Sequence, residues 1–263
     1  MVDSNDDLVL IESIGDVRVV KLNRPEKVNA ISQPLHYALL DVWEKILLDP
    51  TARAVVLTGN GRAFSAGGDA ENFIKNYYEP VHRRKSIRNA RRLADTMLDF
   101  PLPVIAAVNG FAIGLGCTIA VLCDMVLIAD DAFMADTHAS IGLVAGDGGA
   151  AMWPFMMSML KAKELVLLGD RVSAEDAVKL GLANRVVPAA SLLDEAIEVA
   201  QRLAAMPPQS VQDTKRAMNI HLKQAADSVM HFALDAEFVS FGTEEARVRA
   251  EQLLARSKSK GDS

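Results

Sequence analysis

Cysteine is scarce in this chain of 263 residues: there are only Cys117 and Cys123, both inside apolar stretches. Neither a disulfide framework nor a four-cysteine zinc site can be built from them, and both read as buried thiols. Positive charge is short as well, with 28 Lys and Arg against 34 Asp and Glu, a formal net charge of −6 and a pI near 5.4. A phosphate backbone needs a basic face, so a general nucleic-acid binder is disfavoured. The opening residues, Met1 to Asp7, have no basic start and no apolar run, which argues against secretion. Every apolar stretch is interrupted by charge or glycine before it could span a bilayer. No internal repeat or low-complexity linker is visible. His36, His82, His221 and His231 sit in helical patterns without ligand spacing, so no metal site is expected. These absences lead to the expectation of a soluble, cytoplasmic protein without a membrane partner.

What remains is ordinary globular material, 50% apolar and 24% charged, enough for one large domain or two small ones. Leu8–Ile11 and Val17–Leu22 are β-branched runs separated by the turn-forming Gly15-Asp16, which predicts a hairpin. Apolar runs then alternate with helical patterns. Helices are expected near Gln33–Leu48, near Ala70–Met97 and from Gly114, with strands at Ala54–Leu57, Val104–Val108 and Met125–Ala129. That alternation implies βαβ units with buried, largely parallel strands, an α/β fold. Pro101 and Pro103 bracket the start of the Val104 strand. Ala150–Leu168 is apolar at helical spacing and holds Met152, Met156, Met157 and Met159, which reads as core packing. Val186-Val187 marks one more strand before Pro188. Residues 1–188 form the expected core, 189–256 a helical subdomain broken at Pro207-Pro208, and 257–263 a disordered tail.

Two glycine-rich turns stand out, Phe64-Ser65-Ala66-Gly67-Gly68-Asp69 and Asn109-Gly110-Phe111-Ala112-Ile113-Gly114-Leu115-Gly116-Cys117, each between a strand-like and a helix-like run. Such turns leave backbone N–H groups pointing outward near a helix start, and two of them can hold one developing enolate oxygen. A dinucleotide fingerprint is excluded, because position 119 is Ile where the third glycine belongs.

With Leu22-Asn23-Arg24-Pro25-Glu26-Lys27-Val28-Asn29-Ala30 and Leu167-Leu168-Gly169-Asp170-Arg171, and with Ala174, Ala177 and Gly181-Leu182, these turns resemble the crotonase (enoyl-CoA hydratase/isomerase) superfamily over nearly the whole chain. The resemblance implies a stacked ββα spiral core with a C-terminal helical trimerisation subdomain. It implies a homotrimer or dimer of trimers, and an acyl-CoA thioester as substrate, with coenzyme A the only cofactor and part of that substrate. The two oxyanion donors fall on the N–H groups of Gly68 and Leu115. Leucine replaces the commoner glycine at the second position without removing the amide. CoA contacts fall on Lys27, Val28, Ala66 and Arg256.

The family's two hydratase carboxylates fall on Thr118 and His138, neither of them acidic, so hydration by the usual route is not expected. The candidate acid/base is His138, with Asp147 nine residues on across a glycine-rich turn. An Asp on one imidazole nitrogen would leave the other as a base near neutral pH. A turn or N-cap role explains Asp147 equally well. Glu237 is a candidate third polar group. The His and Gly-Asp-Gly pattern before Trp153-Pro154 also resembles the superfamily's β-diketone hydrolase branch, where water-driven carbon–carbon cleavage passes through an enolate. A third reading, a catalytically silent relative that binds RNA or assembles, rests on the basic run His82-Arg83-Arg84-Lys85 with Arg88, Arg91 and Arg92; a solvated or salt-bridged helix face is its plainer explanation.

Overall fold

The computed structural model describes residues 8–259, with side chains to residue 255. Its core is a repeated ββα turn. Strand β1 (Val9–Ile14) pairs antiparallel with β2 (Val17–Leu22), the expected hairpin. After helix α1 (Gln33–Leu47), three successive turns each place one long strand in a first sheet and one short strand in a second. These are β3 (Ala54–Gly59) with β4 (Ala63–Ser65), β5 (Val104–Val108) with β6 (Phe111–Ile113), and β7 (Met125–Ala129) with β8 (Phe133–Ala135). The first sheet runs β1-β2-β3-β5-β7-β10, closed by β10 (Arg185–Val187); the second runs β4-β6-β8-β9, closed by β9 (Val172–Ser173). Pairing is parallel except at β1-β2 and β8-β9. Strands β3 and β5 are buried along their whole length, as expected where a parallel sheet is covered on both faces. Trp43 of α1 is fully buried, its ring centroid 5.0 Å from that of Phe100.

Between β4 and β5 the expected single helix is two, α2 (Ala70–Tyr78) and α3 (Pro80–Asp99). Pro80 forces the break, because the residue before proline avoids the helical region, and Glu79 is extended at φ −119° and ψ 93°. Helix α4 (Leu115–Val121) follows β6, and α5 (Gly149–Met156) and α6 (Met159–Leu168) follow β8. The core-packing expectation for the methionines holds at Met152 and fails at Met159, which is exposed on α6. Helix α7 (Ala174–Leu180) separates β9 from β10.

Helix α8 (Leu192–Ala204) packs on β2, β3, β5 and β7 and so belongs to the sheet layers, although it lies beyond residue 188. Helix α9 (Pro208–Ser240) packs against α3 and α5, and α10 (Glu244–Ser259) against α2. The last helix thus takes in 257–259, which the sequence placed in a tail. The side chain of Arg256 lies outside the described residues, as do residues 260–263. Among the described residues no helix is long and apolar enough to cross a membrane, and no cluster of His, Cys, Asp and Glu could hold a metal ion.

Candidate active site

The C-terminal ends of β4, β6 and β8 lie side by side, and each leads into part of one site. Ser65-Ala66-Gly67-Gly68 leaves β4, Gly114-Leu115 leaves β6 and Asp136-Thr137-His138 leaves β8. This is the end of a parallel sheet where ligands usually bind. Gly67 and Gly114 bring the first two turns together. Gly67 has φ +82°, and a β-carbon there would stand 2.5 Å from the Ile113 carbonyl and 3.6 Å from the Leu115 nitrogen. The Gly114 N–H donates to Ala135 O at 2.9 Å, which ties the third turn to the second. Gly68 pairs with Ile31 through its neighbours, Ile31 N–H donating to Gly67 O at 2.7 Å and Asp69 N–H to Ile31 O at 3.3 Å. Neither the Gly68 nor the Leu115 N–H donates to another described residue.

The loop after β2 is stitched to the first turn by polar side chains. Asn29, buried at φ +54°, donates through Nδ2 to Ala63 O at 2.8 Å and accepts from Arg24 N–H at 2.9 Å. Arg24 pairs with Asp69 at 2.5 Å, and Asp69 caps α2 by accepting from Glu71 N–H. Ala66 N–H donates to Val28 O at 3.0 Å. Three of the four residues expected to meet CoA are therefore gathered in one patch: Lys27 exposed, Val28 and Ala66 half-buried.

Below the Leu115 turn lies a charged cluster that the sequence revealed only in part. His138 Nε2 is 3.2 Å from Asp147 Oδ2, and Thr118 Oγ1 donates to Asp147 Oδ1 at 3.0 Å. Asp147 does not cap α5: Gly148 is the N-cap, with no side-chain hydrogen bond. The free imidazole nitrogen expected from the sequence is not there, because His138 Nδ1 meets Asp136 Oδ1 at 2.7 Å. The cause is local. Asp136 Oδ1 also accepts from the His138 N–H at 3.2 Å, a turn that puts the carboxylate under the ring two residues on. All three side chains are nearly sealed: His138 is 5% exposed, Asp147 4% and Asp136 1%.

Burial opposes charge on His138, but Asp147 and then Asp136 outweigh it and hold the imidazole well above its ordinary range. The same pairing overcomes burial at Asp147 and keeps its carboxyl below the usual range. Glu237, on α9, is buried beside them with Oε2 unpartnered. Burial, with Asp147 adding to it, pushes its carboxyl well up. The cluster thus favours the charged form of His138 beside Asp147 and Asp136, and the neutral form of Glu237. Its elements are packed too tightly for larger residues: a β-carbon at Gly149 would collide with Asp136 Oδ2, and one at Gly146 would stand 2.6 Å from Glu237 Oε2.

A cavity of about 50 Å³ joins these groups. Gly68, Leu115, His138, Asp147 and Glu237 line it together with Ile31, Phe73, Ile87 and Phe241, and with the polar His36, Asn72, Asn76 and Ser86. His36 has no role assigned from the sequence, and Asp136 was not singled out there. Elsewhere, part of the basic run is internally paired. Arg83 donates to Asn76 O and Tyr77 O, and Arg91 pairs with Asp95 and Asp227. Both thiols are buried, and burial pushes their pKa values up.

Residues 12–255 match the sequence profile of a family described as enoyl-CoA hydratase/isomerase. The chain belongs to this family. The enoyl-CoA hydratase/isomerase fold is seen in a crystal structure from Mycobacterium paratuberculosis, 43% identical, with a TM-score of 0.90 over 94% of this chain and 98% of the other. The short-chain-enoyl-CoA hydratase of Clostridium acetobutylicum is 30% identical over 96% of this chain and 97% of its own length. A monofunctional enoyl CoA isomerase from M. smegmatis aligns at 30% identity and a TM-score of 0.71, covering 84% of this chain and 99% of the other. Hydratases and isomerases both stand among the family relatives, so membership alone leaves the reaction open.

Proposed function

We propose that this member acts on an acyl-CoA thioester through an enolate held by the Gly68 and Leu115 N–H groups, with His138 and Asp147 as a coupled acid/base pair. The observation that carries this reading is the Asp136–His138–Asp147 arrangement in one cavity with two unengaged N–H donors. Asp147 is ionised and can take a proton from the carbon α to the thioester carbonyl, while the N–H groups accept the charge that moves onto oxygen. The proton returns to a different carbon from the His138 imidazolium or from Glu237, and the double bond has then migrated. One shuttle suffices for isomerisation, whereas the two positions that carry the family's hydratase carboxylates hold Thr118 and His138. Lys27, Val28 and Ala66 would cradle the CoA, and Arg256 of a neighbouring subunit would reach it.

Exchange of solvent deuterium into the α-carbon of butyryl-CoA, read by mass spectrometry, tests this. Exchange that His138→Ala abolishes is expected, with crotonyl-CoA hydrated slowly or not at all. CoA binding without exchange would refute the enolate step. The same His138–Asp147 contact favours a second reading, hydrolysis of a β-diketone carbon–carbon bond, in which the pair activates water and the enolate leaves. Turnover of a cyclic β-diketone with no affinity for CoA would replace the first reading with the second.

The expected homotrimer, or dimer of trimers, has a candidate contact in α5–α6, where Phe155, Met159, Leu160, Leu167 and Leu168 are exposed on one chain. Light scattering on the purified protein should give three or six copies, and Leu160→Asp with Leu167→Asp should lower the mass. A monodisperse monomer would contradict this.

A further inference from the structure

The cavity has further polar lining that the enolate chemistry does not use, including His36 on α1 and Asn76 on α2. His36 is 7% exposed, and its Nε2 has no hydrogen-bond partner. The Asn89 backbone favours a ring N–H, and because Nε2 has no partner we assign that N–H to Nδ1. Burial dominates and lowers its pKa to about 4, which leaves Nε2 with a free lone pair at neutral pH. Nε2 is therefore an acceptor.

Asn76 is fully buried, and its Oδ1 accepts from Ser86 Oγ at 2.9 Å. That bond fixes the amide and leaves Nδ2 as a donor without a partner. His36, Asn76 and Ser86 all line the cavity shared with Gly68, Leu115 and His138. One unmatched acceptor and one unmatched donor thus belong to residues that line the cavity in which the substrate's acyl portion would lie, and buried polar groups normally find partners.

We propose that His36 and Asn76 form a recognition subsite for a hydroxyl group on the acyl portion of the substrate. A hydroxyl can donate to His36 Nε2 and accept from Asn76 Nδ2 at once. A carbonyl satisfies only the amide and an ammonium only the imidazole. A carboxylate would face a neutral ring in a cavity that no lysine or arginine lines. Sites built to pair a substrate hydroxyl reject the analogue lacking it strongly, because their own polar groups are then stranded. The inference rests on the reading of this cavity as the acyl site.

Calorimetry on the full chain tests it, with CoA, hexanoyl-CoA and the 4-, 5- and 6-hydroxyhexanoyl thioesters as ligands. One hydroxy isomer is expected to bind at least about tenfold tighter than hexanoyl-CoA. His36→Phe and Asn76→Leu should each reduce that ratio to near one and leave hexanoyl-CoA affinity almost unchanged. His36→Gln, which restores an acceptor, should keep part of the ratio and guards against misfolding of the larger substitution. Equal binding of all four thioesters, or a preference that survives both substitutions, overturns the subsite. If no CoA compound binds, the acyl-CoA reading fails separately. The ratio is then measured on cyclohexane-1,3-dione against its 5-hydroxy derivative: a preference lost in His36→Phe upholds the subsite, and equal binding overturns it.

Discussion

Asp147→Asn is expected to lower kcat for proton exchange or isomerisation by about a hundred- to ten-thousandfold, the usual worth of a positioned acid/base group, while acyl-CoA affinity changes little. The substitution keeps the shape. Asparagine can still accept from His138 Nε2 through its oxygen and meet Thr118 Oγ1 through its amide. What it removes is the carboxylate that takes the proton, along with one of the two charges that keep His138 protonated. Steady-state kinetics with parallel calorimetry separates these effects. A fall in kcat at constant affinity means that Asp147 acts in the transition state, whereas unchanged kcat would remove Asp147 from the chemistry and leave it a packing role.

Asp136→Ala should be the most destabilising substitution in the site, by about 3–5 kcal/mol, because it strips one partner from a buried ion pair and leaves the charge behind. For a chain of this size that corresponds to a fall in Tm of roughly 5–9 °C. The loss also has a pH signature. His138 is held above its unfolded value, so its contribution to stability is present in full below about pH 6.5 and is lost as the pH rises through the folded value. The gap between wild type and Asp136→Ala should therefore be widest on the acid side of that range and narrow in alkali. Denaturant titrations at several pH values check this. A gap that widens with pH would mean the imidazole is neutral in the folded protein.

Much of this architecture could be read along the chain because β3, β5 and β7 are largely continuous apolar runs bounded by turn residues. The partner strands β4, β6, β8 and β9 could not, since two or three residues carry no period; only their pairing with one another in the second sheet makes them strands. The break at Pro80 was legible in principle, as a proline inside a helical pattern. Of the site, Gly68 and Leu115 were reachable because glycine-rich turns show in sequence, and the loop-to-loop bonds of Arg24, Asn29 and Asp69 explain why their flanking residues travel with them. Asp136 was overlooked because its grip on Nδ1 depends on a turn that only the packing of β8 fixes. Glu237 had a signal in its setting: Met230, Ala233, Leu234, Glu237 and Phe241 are spaced as one helical stripe, all buried, and a lone acid in such a stripe marks a cavity or a partner. His36 gave none, because a histidine in an amphipathic helix does not reveal that its Nε2 faces an unfilled polar need.

On the proposed reading, two backbone donors and a His138 that Asp147 and Asp136 hold toward its charged form make this cavity an enolate site. Acetoacetyl-CoA tests it most directly, because its enolate absorbs where its keto form does not and resembles the intermediate. Mixed with the protein below the pH at which the free thioester ionises, it should show the enolate band on binding, and Asp147→Asn and His138→Ala should diminish that band. Binding as the keto form, with no enolate band at any pH up to the free thioester's own ionisation, would contradict the account.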